Sequence, residues 1–242
     1  MDIALSNLSF GYPGLPLFSA LNARLDGGLE GVLAIMGPSG CGKTTLLKLI
    51  GGLLEPQGGA IDLGGDQKVS FMFQENRLLP WLRVLDNAAL PLGMDPPSRE
   101  RALHFLSLVG LASKAQAFPH ELSGGQARRV SLARTFACPS PLILMDEPFQ
   151  SLDIPLRLDL IAAIRALLQE GESPFLILTS HEPREALALA GRVIILGQPP
   201  GGIIYDRELD LPLHERHLGS RALIDREMEM IEVLKRASTT EN

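Results

Sequence analysis

The hydrophobic positions of this chain fall into short continuous runs, each bounded by glycine, proline or charged residues. Continuous apolar runs of about four to eight residues are typical of strands that are buried on both faces of a sheet. Strands are therefore predicted at residues 31–36, 58–65, 68–73, 141–147, 175–179, 192–196 and 202–205. Residues 1–35 are also predicted to be rich in strand, with turn signals at 11–14 and 26–28.

Apolar residues at helical spacing follow several of these runs and predict helices between the strands. The predicted helices lie at 44–54, 99–109, 127–137, from a first turn at Pro155 to an end at Gly171, and near the C-terminus. The last helix is expected to have a core or docking face at Ile224, Met228, Ile231 and Leu234. Residues 75 to about 134 carry prolines between helical patterns, which indicates a helical insertion in an α/β domain.

Composition limits the classes of protein that fit the chain. With 242 residues and 45% apolar side chains, it can form one large α/β domain with a buried core. The net charge of −6 gives no sign of nucleic-acid binding. No apolar run approaches the roughly 18 residues needed to cross a bilayer. The N-terminus lacks the pattern of a signal peptide.

Cysteine and histidine positions give no metal site. Cys41 and Cys138 are far apart in sequence, which favours reduced thiols in a cytosolic protein. His214 and His217 have no partner ligands nearby in sequence, so no metal site is expected there.

The most specific motif is GPSGCGKTT at 37–45, which matches the phosphate-binding loop G-x-x-x-x-G-K-[ST]. It lies between a predicted strand and a predicted helix, as this motif requires. Backbone N–H groups of such a loop point at phosphate oxygens, and the helix N-terminus adds partial positive charge. Lys43 is expected to reach the β- and γ-phosphates of a nucleotide, and the Thr44 hydroxyl to ligate Mg²⁺. The predicted nucleotide contacts are Gly37, Pro38, Ser39, Gly40, Cys41, Gly42, Lys43, Thr44 and Thr45.

Polar residues follow three of the predicted strands. Ligand groups collect at strand ends in α/β folds, which makes Gln74 a candidate ligand residue. Asp146 ends another strand, where phosphate-loop enzymes place the acid that holds Mg²⁺, and Glu147 beside it could orient or deprotonate a water molecule. His181 follows a third strand, where a histidine is most often structural. An aromatic residue such as Tyr12 most often packs in the core or in a turn.

A second glycine-rich helix start is predicted at LSGGQ, residues 122–126. Because helix N-termini bind anions, this segment is a second possible anion site. The alternative is an ordinary capped helix start with Ser123 as the N-cap.

These motifs, in this order, resemble the nucleotide-binding subunit of ATP-binding cassette (ABC) transporters, and the resemblance covers nearly the whole chain. The resemblance implies an α/β fold: a phosphate-loop NTPase core with an N-terminal antiparallel β part and an inserted helical subdomain. It implies one ABC ATPase domain over 1–242, with the catalytic core at 1–74 and 135–242. The helical subdomain with LSGGQ is then expected at 75–134.

The resemblance also implies roles for single residues. Tyr12 matches the aromatic residue that stacks on adenine, and Gln74 the glutamine that contacts Mg²⁺ and the attacking water. Asp146 matches the metal-side acid, Glu147 the catalytic base, and His181 the histidine that contacts the γ-phosphate. The implied catalytic residues are Glu147, His181, Gln74 and Lys43, and the implied metal ligands are Thr44, Gln74 and Asp146.

In proteins of this kind two copies share each site, so the resemblance implies a head-to-tail dimer about a two-fold axis. ATP on the loop of one copy would be capped by the other, through Ser123 Oγ and the Gly125 N–H. The implied capping residues are Ser123, Gly124, Gly125, Gln126 and Asp153, the last from the SLD segment. One departure is Gln150, where relatives usually carry glycine or a small residue.

The segment at 74–81, Gln-Glu-x-x-Leu-Leu-Pro-Trp, is similar to the subgroup of ABC ATPases that serve nitrate, sulfonate and taurine importers. This implies a peripheral subunit on the cytoplasmic face of the membrane. Its partners would be permease subunits and, indirectly, an extracytoplasmic solute-binding protein. The chain ends soon after the last predicted strands, which leaves no room for an appended regulatory domain.

Three alternatives stay open at this point. They are the ATPase of an exporter, the ATPase of a thiamine-precursor importer, and a soluble ABC ATPase that acts on DNA or ribosomes. The third is disfavoured because the chain shows neither a long coiled coil nor a second cassette.

Leu78, Leu79, Pro80 and Trp81 form an apolar run soon after Gln74. Such a run is usually buried under its own domain. The alternative is that it lines a groove for a short cytoplasmic helix of the permease.

Overall fold

The computed structural model describes residues 1–169, 174–210, 216 and 221–238. Within these residues the chain forms nine strands and seven α-helices. The strands are β1 (Ile3–Tyr12), β2 (Leu15–Leu25), β3 (Val32–Met36), β4 (Gly58–Asp62), β5 (Val69–Met72), β6 (Leu142–Met145), β7 (Phe175–Thr179), β8 (Arg192–Leu196) and β9 (Ile203–Glu208). The helices are α1 (Lys43–Ile50), α2 (Val84–Ala89), α3 (Pro96–Leu108), α4 (Gly124–Ala137), α5 (Ile154–Leu168), α6 (Pro183–Leu189) and α7 (Arg221–Ser238).

The chain divides into two compact units. The first unit comprises Met1–Gln67, Leu144–Glu147 and Phe175–Asn242, and the second comprises Lys68–Ile143 and Pro148–Pro174. The first unit contains the glycine-rich loop at 37–45, and the second contains α2 to α5 with LSGGQ. The boundaries predicted for the helical subdomain, 75–134, lie within the second unit and stay a prediction.

An antiparallel sheet begins the first unit. β1 pairs with β2 on one side and with β4 on the other. Leu5, for example, lies opposite Ala23 on β2 and opposite Ile61 on β4. Ile3, Leu5 and Leu8 of β1 are buried, so one face of this sheet contributes to the core. The predicted N-terminal antiparallel β part is confirmed.

The second sheet of the first unit is mainly parallel. β3 lies between β7 and β8 and runs parallel to both, and β9 pairs antiparallel with β8. All residues of β3 and β7 are buried, as expected for central strands covered on both faces. Parallel strands end at the same edge of a sheet, so the residues that follow β3 and β7 meet there. The α/β prediction is confirmed.

The predicted helices form, with shifts at their ends. α1 ends at Ile50 rather than at 54, because the chain turns at the two glycines that follow and Gly51 N–H donates to Leu47 O at 2.8 Å. α4 begins at Gly124 rather than at 127, with Ser123 as its N-cap.

Some predictions fall outside the described part of the chain. Gly171, the expected end of α5, is one of them, and His214 and His217 are the others. None of the helices within the described residues has the length and apolar character needed to span a bilayer.

Two residues of the predicted core or docking face of α7 lie outside the core, and a docking role for that face stays a prediction. Ile224 and Met228 are 46% and 54% exposed. The buried residues of this helix are Met230 and Ala237, which lie on another face. Apolar residues mark two stripes along α7, and the stripe with Met230 and Ala237 is the more deeply buried of the two.

Candidate active site

The segment 37–45 forms a tight loop between the buried strand β3 and α1. Gly42 has φ +101°, in the left-handed region that favours glycine, and a Cβ there would lie 2.7 Å from the Phe18 ring. A Cβ on Gly37 would lie 2.7 Å from the carbonyl oxygen of Leu196. Both glycines are therefore required for the loop to close. The loop leads into the N-terminal turn of α1, whose first N–H groups have no partner within the helix.

The ammonium group of Lys43 lies against this loop. Lys43 is only 7% exposed, and Nζ donates to Gly37 O at 2.8 Å and to Pro38 O at 3.1 Å. These bonds use two of the three N–H groups of an ammonium. A phosphate in the loop would add the ion pair that carbonyl dipoles cannot supply. The neighbouring Cys41 is buried, and this burial raises the pKa of its thiol, which keeps it protonated and unreactive.

A chain of hydrogen bonds joins the start of α1 to the acids that follow β6. Thr44 Oγ1 donates to Asp146 Oδ1 at 2.9 Å, and Thr179 Oγ1 donates to the same oxygen at 3.0 Å. The Glu147 N–H donates to Thr179 Oγ1 at 2.9 Å. We call Thr44, Asp146, Thr179 and Glu147 the carboxylate array. It fixes the orientation of a buried carboxylate through hydroxyl partners.

Sequence reasoning assigned no role to Thr179. The available signal was its position as the last residue of a buried strand, where ligand groups collect.

The oxygen atoms of the carboxylate array suit Mg²⁺. This ion prefers hard oxygen ligands and is usually held by one or two protein groups, with water and substrate phosphates in its remaining positions. The part of the chain that the structure describes has no cluster of three or more His, Cys, Asp or Glu residues able to hold a metal ion. A metal at this site would therefore depend on the Thr44 hydroxyl, the Asp146 carboxylate and phosphate oxygens.

Glu147 and His181 lie together at the same edge of the sheet. His181 Nδ1 is 3.9 Å from Glu147 Oε2. Glu147 has φ +43°, which a residue with a Cβ rarely adopts. Strain of this kind persists where the surrounding structure enforces it, and it is concentrated at functional sites. The structure thus brings the predicted base next to the predicted γ-phosphate ligand.

Tyr12, at the end of β1, lies beside the loop rather than in the core. Its hydroxyl is 3.4 Å from Thr45 Oγ1, and its ring meets Phe10 edge-on with the ring centroids 5.4 Å apart. The residue is 45% exposed, so part of the ring faces solvent. An edge contact on one side and an exposed face on another suit a ring that stacks on a base.

In the second unit, LSGGQ forms a capped helix start. Ser123 Oγ accepts a hydrogen bond from Gln126 N at 3.2 Å, and Gln126 Oε1 accepts one from Ser123 N at 3.1 Å. Ser123 is therefore the N-cap of α4, as predicted, and an anion site at this helix start stays a prediction. Because a hydroxyl has an O–H donor besides its lone pairs, this cap leaves Ser123 able to donate to a phosphate. A Cβ on Gly125 would lie 3.1 Å from the Leu156 side chain, so close packing explains the glycine there.

Asp153 also has a local role. It is the N-cap of α5, and its carboxylate accepts from Leu156 N at 3.0 Å. Its contact with a nucleotide stays a prediction.

Gln74 follows β5 in the second unit and is held from two sides. Its side-chain Nε2 donates to Gln150 Oε1. Its backbone is held by the buried Arg128 of α4, which donates to Phe73 O at 2.9 Å and Gln74 O at 2.6 Å. The same guanidinium donates to Pro148 O at 2.8 Å. Sequence reasoning missed Arg128, because a charged residue in a helix is normally expected at the surface.

The predicted site residues therefore divide between the two units. The first unit holds Tyr12, residues 37–45, Asp146, Glu147 and His181, and the second holds Gln74, residues 123–126 and Asp153.

Comparison with known proteins agrees with the motifs. A family model described as "ABC transporter" matches residues 22–150. The aliphatic sulfonates import ATP-binding protein SsuB of Yersinia pestis is 38% identical over 237 residues, which covers 95% of this chain and 84% of that protein. SsuB 2 of Rhodococcus jostii is 43% identical over 183 residues, covering 74% of this chain and 72% of that protein. SsuB of Ralstonia nicotianae is 44% identical over 199 residues, which covers 78% of this chain and 67% of that protein.

Solved structures give the same result. The dimeric ATP-binding cassette MJ0796, in a post-hydrolysis state bound to ADP and Pi, matches with a TM-score of 0.74 and 28% identity. The match covers 87% of this chain and all of that chain. A second dimeric structure of MJ0796, described as a bacterial ABC transporter cassette, matches with a TM-score of 0.74 and 29% identity over the same shares of the two chains.

Proposed function

The chain is an ATPase of the ABC transporter family, and we propose that it drives the import of aliphatic sulfonates through a membrane permease. The carboxylate array next to the phosphate loop is the observation that carries the mechanism. A phosphate loop alone fits many nucleotide-binding proteins, whereas the array adds a place for a metal and a base at the same edge. The names of the relatives support the solute class.

ATP binds to the first unit. The backbone N–H groups of the loop 37–45, other than at Pro38, and of the first turn of α1 donate to the phosphates, and Lys43 adds its charge. Tyr12 stacks on the adenine ring. Since Lys43 is already held by loop carbonyls, little reorganisation is needed when the phosphates arrive.

When bound, Mg²⁺ would supply positive charge that offsets the charge on the phosphate oxygens. Thr179 keeps the Asp146 carboxylate in one orientation, so the metal-binding oxygen does not have to be ordered at each turnover.

Glu147 accepts a proton from water as the water oxygen attacks the γ-phosphorus. The bond between this phosphorus and the bridging oxygen of ADP breaks, and ADP and inorganic phosphate leave. His181 donates a hydrogen bond to the γ-phosphate, and Lys43 stabilises the charge that develops on its oxygens.

A second copy of the chain completes the site. Ser123 Oγ and the Gly125 N–H of that copy donate to the γ-phosphate, with Gly124, Gln126 and Asp153 beside them. The dimeric MJ0796 structures support a dimer of this chain. One phosphate loop and one LSGGQ in each chain give two equal sites about a two-fold axis.

The permease docks on the apolar run at 78–81. Trp81 is 70% exposed and Pro80 is also exposed, which argues against burial under their own domain. In this proposal the subunit lies on the cytoplasmic face of the membrane, and a solute-binding protein acts on the other side. The relatives are named as importers, which favours import over the exporter alternative, and their solute disfavours a thiamine precursor.

Reconstitution with the permease in proteoliposomes tests this proposal. An alkanesulfonate with its binding protein should stimulate ATP hydrolysis, whereas nitrate and a thiamine precursor should not. Glu147→Gln is the control for the chemistry: turnover should fall about 10³-fold while ATP-bound dimer accumulates, because a general base typically contributes about 10² to 10⁴. Stimulation by nitrate alone would overturn the solute assignment, and near-normal turnover of the variant would overturn the base.

A further inference from the structure

The hairpin that carries Tyr12 extends beyond one of its two neighbouring strands. β1 pairs with β2 up to the turn of the hairpin, where Tyr12 lies opposite Leu15. On its other side β1 pairs with β4 only as far as Ser9, which lies opposite Gly58, the first residue of β4. The last residues of β1, Tyr12 among them, therefore project past the start of β4.

The side chain of Gln57 takes the place of a strand at this point. The backbone N–H of Gln57 donates to Ser9 O at 2.9 Å and continues the ladder by one bond. Its side-chain Nε2 donates to Gly11 O at 2.8 Å, and its Oε1 accepts from Gly11 N at 3.0 Å. Both bonds have ordinary lengths, and a reversed amide would set donor against donor and acceptor against acceptor. The reciprocal pair therefore fixes the orientation of this amide.

Gly11 depends on such a restraint because the hairpin requires glycine there. A Cβ on Gly11 would lie 2.7 Å from Pro16 Cα and 2.8 Å from Leu15 O, so no side chain fits between the two strands. Glycine has more backbone freedom than any other residue. The carbonyl that Gln57 holds belongs to the peptide group that joins Gly11 to Tyr12, so Gln57 restrains the backbone directly in front of Tyr12.

The placement of the Tyr12 ring follows from this backbone. The ring meets Phe10 edge-on, its hydroxyl is 3.4 Å from Thr45 Oγ1, and the residue is 45% exposed. The direction in which the open ring face points is then set by the chain that carries it. A cavity of about 500 Å³, lined by Tyr12, Phe18 and Gln57 among others, gives a planar base room beside this hairpin.

We propose that Gln57 is a positioning residue for the base of ATP: its side-chain amide holds the peptide group between Gly11 and Tyr12, so that the Tyr12 ring is already placed to stack on adenine. This inference rests on the proposed function, in which Tyr12 stacks on adenine. Without the Gln57 amide, the hairpin would have to be ordered each time a base binds, and that ordering opposes binding. The phosphate contacts of the loop at 37–45 would be unaffected.

The test compares a ligand that has a base with one that has none. Isothermal calorimetry on the full chain measures affinity for ATP and for inorganic tripolyphosphate, both in EDTA so that no ATP is hydrolysed. Gln57→Met keeps the length of the side chain and removes both hydrogen-bonding groups. It should weaken ATP binding roughly three- to tenfold and change tripolyphosphate binding less than about twofold.

Two further variants control for effects on the fold. Gln57→Asn keeps a polar amide at this exposed position but is one methylene shorter, and it should weaken binding of ATP and not of tripolyphosphate. Gln67→Met makes the same substitution as Gln57→Met in the same unit but outside the hairpin, and it should change neither affinity. An equal loss for both ligands in the Gln57 variants would overturn the positioning role, because the phosphate loop would then be disturbed as well.

Repeating the measurements with Tyr12→Ala separates this inference from the proposed function. Tyr12→Ala alone should weaken ATP binding about tenfold or more, as expected for a lost base stack, and Gln57→Met should then cause no further loss. If Tyr12→Ala leaves ATP affinity unchanged, Tyr12 does not stack on adenine, and that part of the proposed function fails together with this inference. If Tyr12→Ala weakens binding and Gln57→Met does not, or if the two losses add, only the positioning role of Gln57 is overturned.

Discussion

The phosphate loop and LSGGQ are both glycine-rich helix starts, yet they use their N-terminal N–H groups differently. Gly42, the N-cap of α1, gives no side-chain cap to that helix, and the buried Lys43 and carboxylate array surround its start. Ser123 caps α4 through a reciprocal bond pair with Gln126. The first N–H groups of α1 therefore have no side-chain acceptor where a phosphate would bind, whereas α4 already has the Ser123 hydroxyl as an acceptor.

On the proposed function, this difference explains why the start of α1 would bind ATP within one chain, whereas LSGGQ would act only on ATP held by a second copy. A phosphate at α1 gains uncapped N–H donors and the Lys43 charge. At α4 it gains the Ser123 O–H and backbone N–H groups without any side-chain cation of residues 122–126. Changes at α1 should then alter ATP binding by the isolated chain. Changes at LSGGQ should alter only steps that need a second copy.

The largest effect is expected for Lys43→Ala. Charge-assisted hydrogen bonds contribute about 1.5–3 kcal/mol each, so loss of the ammonium should weaken ATP binding about 100-fold or more. Isothermal calorimetry measures this affinity directly. Lys48→Ala, on the same helix, is the control and should change it less than about twofold. Equal affinities for all three proteins would contradict the assignment of the phosphate loop.

Ser123→Arg should impair hydrolysis without impairing ATP binding by the same chain. The large cation should block the contact of LSGGQ with the ATP held by the partner copy and reduce hydrolysis about 100-fold, which is typical for loss of a donor to the reacting group. Calorimetry should show ATP affinity close to that of the unchanged chain.

Mixing Ser123→Arg with Lys43→Ala tests whether the site is shared. In a mixed dimer both lesions fall in one site and the other site is intact, so part of the activity should return if one site suffices. High activity of Ser123→Arg alone would contradict a shared site.

Much of the first unit could be predicted because buried parallel strands leave a continuous apolar run in sequence. β7 and β8 coincide with the predicted runs 175–179 and 192–196. The order and spacing of the motifs predicted the loop residues, Asp146, Glu147 and His181, and the structure brings these residues to one edge. Asp146 and Glu147 were candidates because they lie at the end of a predicted strand, whereas the role of His181 came from the resemblance to ABC ATPases.

The missed features depend on contacts between distant parts of the chain. Thr179 joins Asp146 to Glu147 from another strand, and the Gln74–Gln150 bond forms between separate loops. α7 offered two apolar stripes, so periodicity could not decide which one packs. Arg128 is buried because backbone carbonyls accept its hydrogen bonds, which no local pattern records.

Arg128→Met tests whether the second unit depends on that contact. Loss of the guanidinium leaves its carbonyl acceptors without a donor, which should lower the free energy of unfolding by about 3 kcal/mol. For a chain of this size, the melting temperature should then fall by roughly 5–10 °C. Differential scanning calorimetry measures the shift. Arg129→Met is the matched control, because Arg129 makes a more exposed ion pair with Asp159, worth about 0–1 kcal/mol. Equal shifts for the two variants would contradict a special role for Arg128.

The smallest effect on the isolated chain is expected for Trp81→Ala. The backbone of this apolar run is held by the buried Asn87: its Oδ1 accepts from Leu79 N at 2.7 Å, and its Nδ2 donates to Leu79 O at 3.0 Å and Leu82 O at 3.1 Å. Trp81 itself is 70% exposed, so its removal should change the melting temperature by no more than about 2 °C. ATP affinity should stay within about twofold, because Trp81 belongs to the second unit and to none of the predicted nucleotide contacts.

The main effect of Trp81→Ala should be weaker binding to the permease. A preformed loop that presents one large aromatic side chain is typical of an interface anchor, and removing such an anchor costs about 2 kcal/mol or more, roughly a 30-fold weaker complex. Co-purification with the permease, measured beside a melting curve, checks this. Leu79→Ser should weaken the complex in the same way, whereas Leu29→Ala, at a first-unit position that is 74% exposed, should leave it intact. Normal assembly and transport by Trp81→Ala would show that the exposed run is not the docking surface, and unfolding of the variant would show that it stabilises the second unit instead.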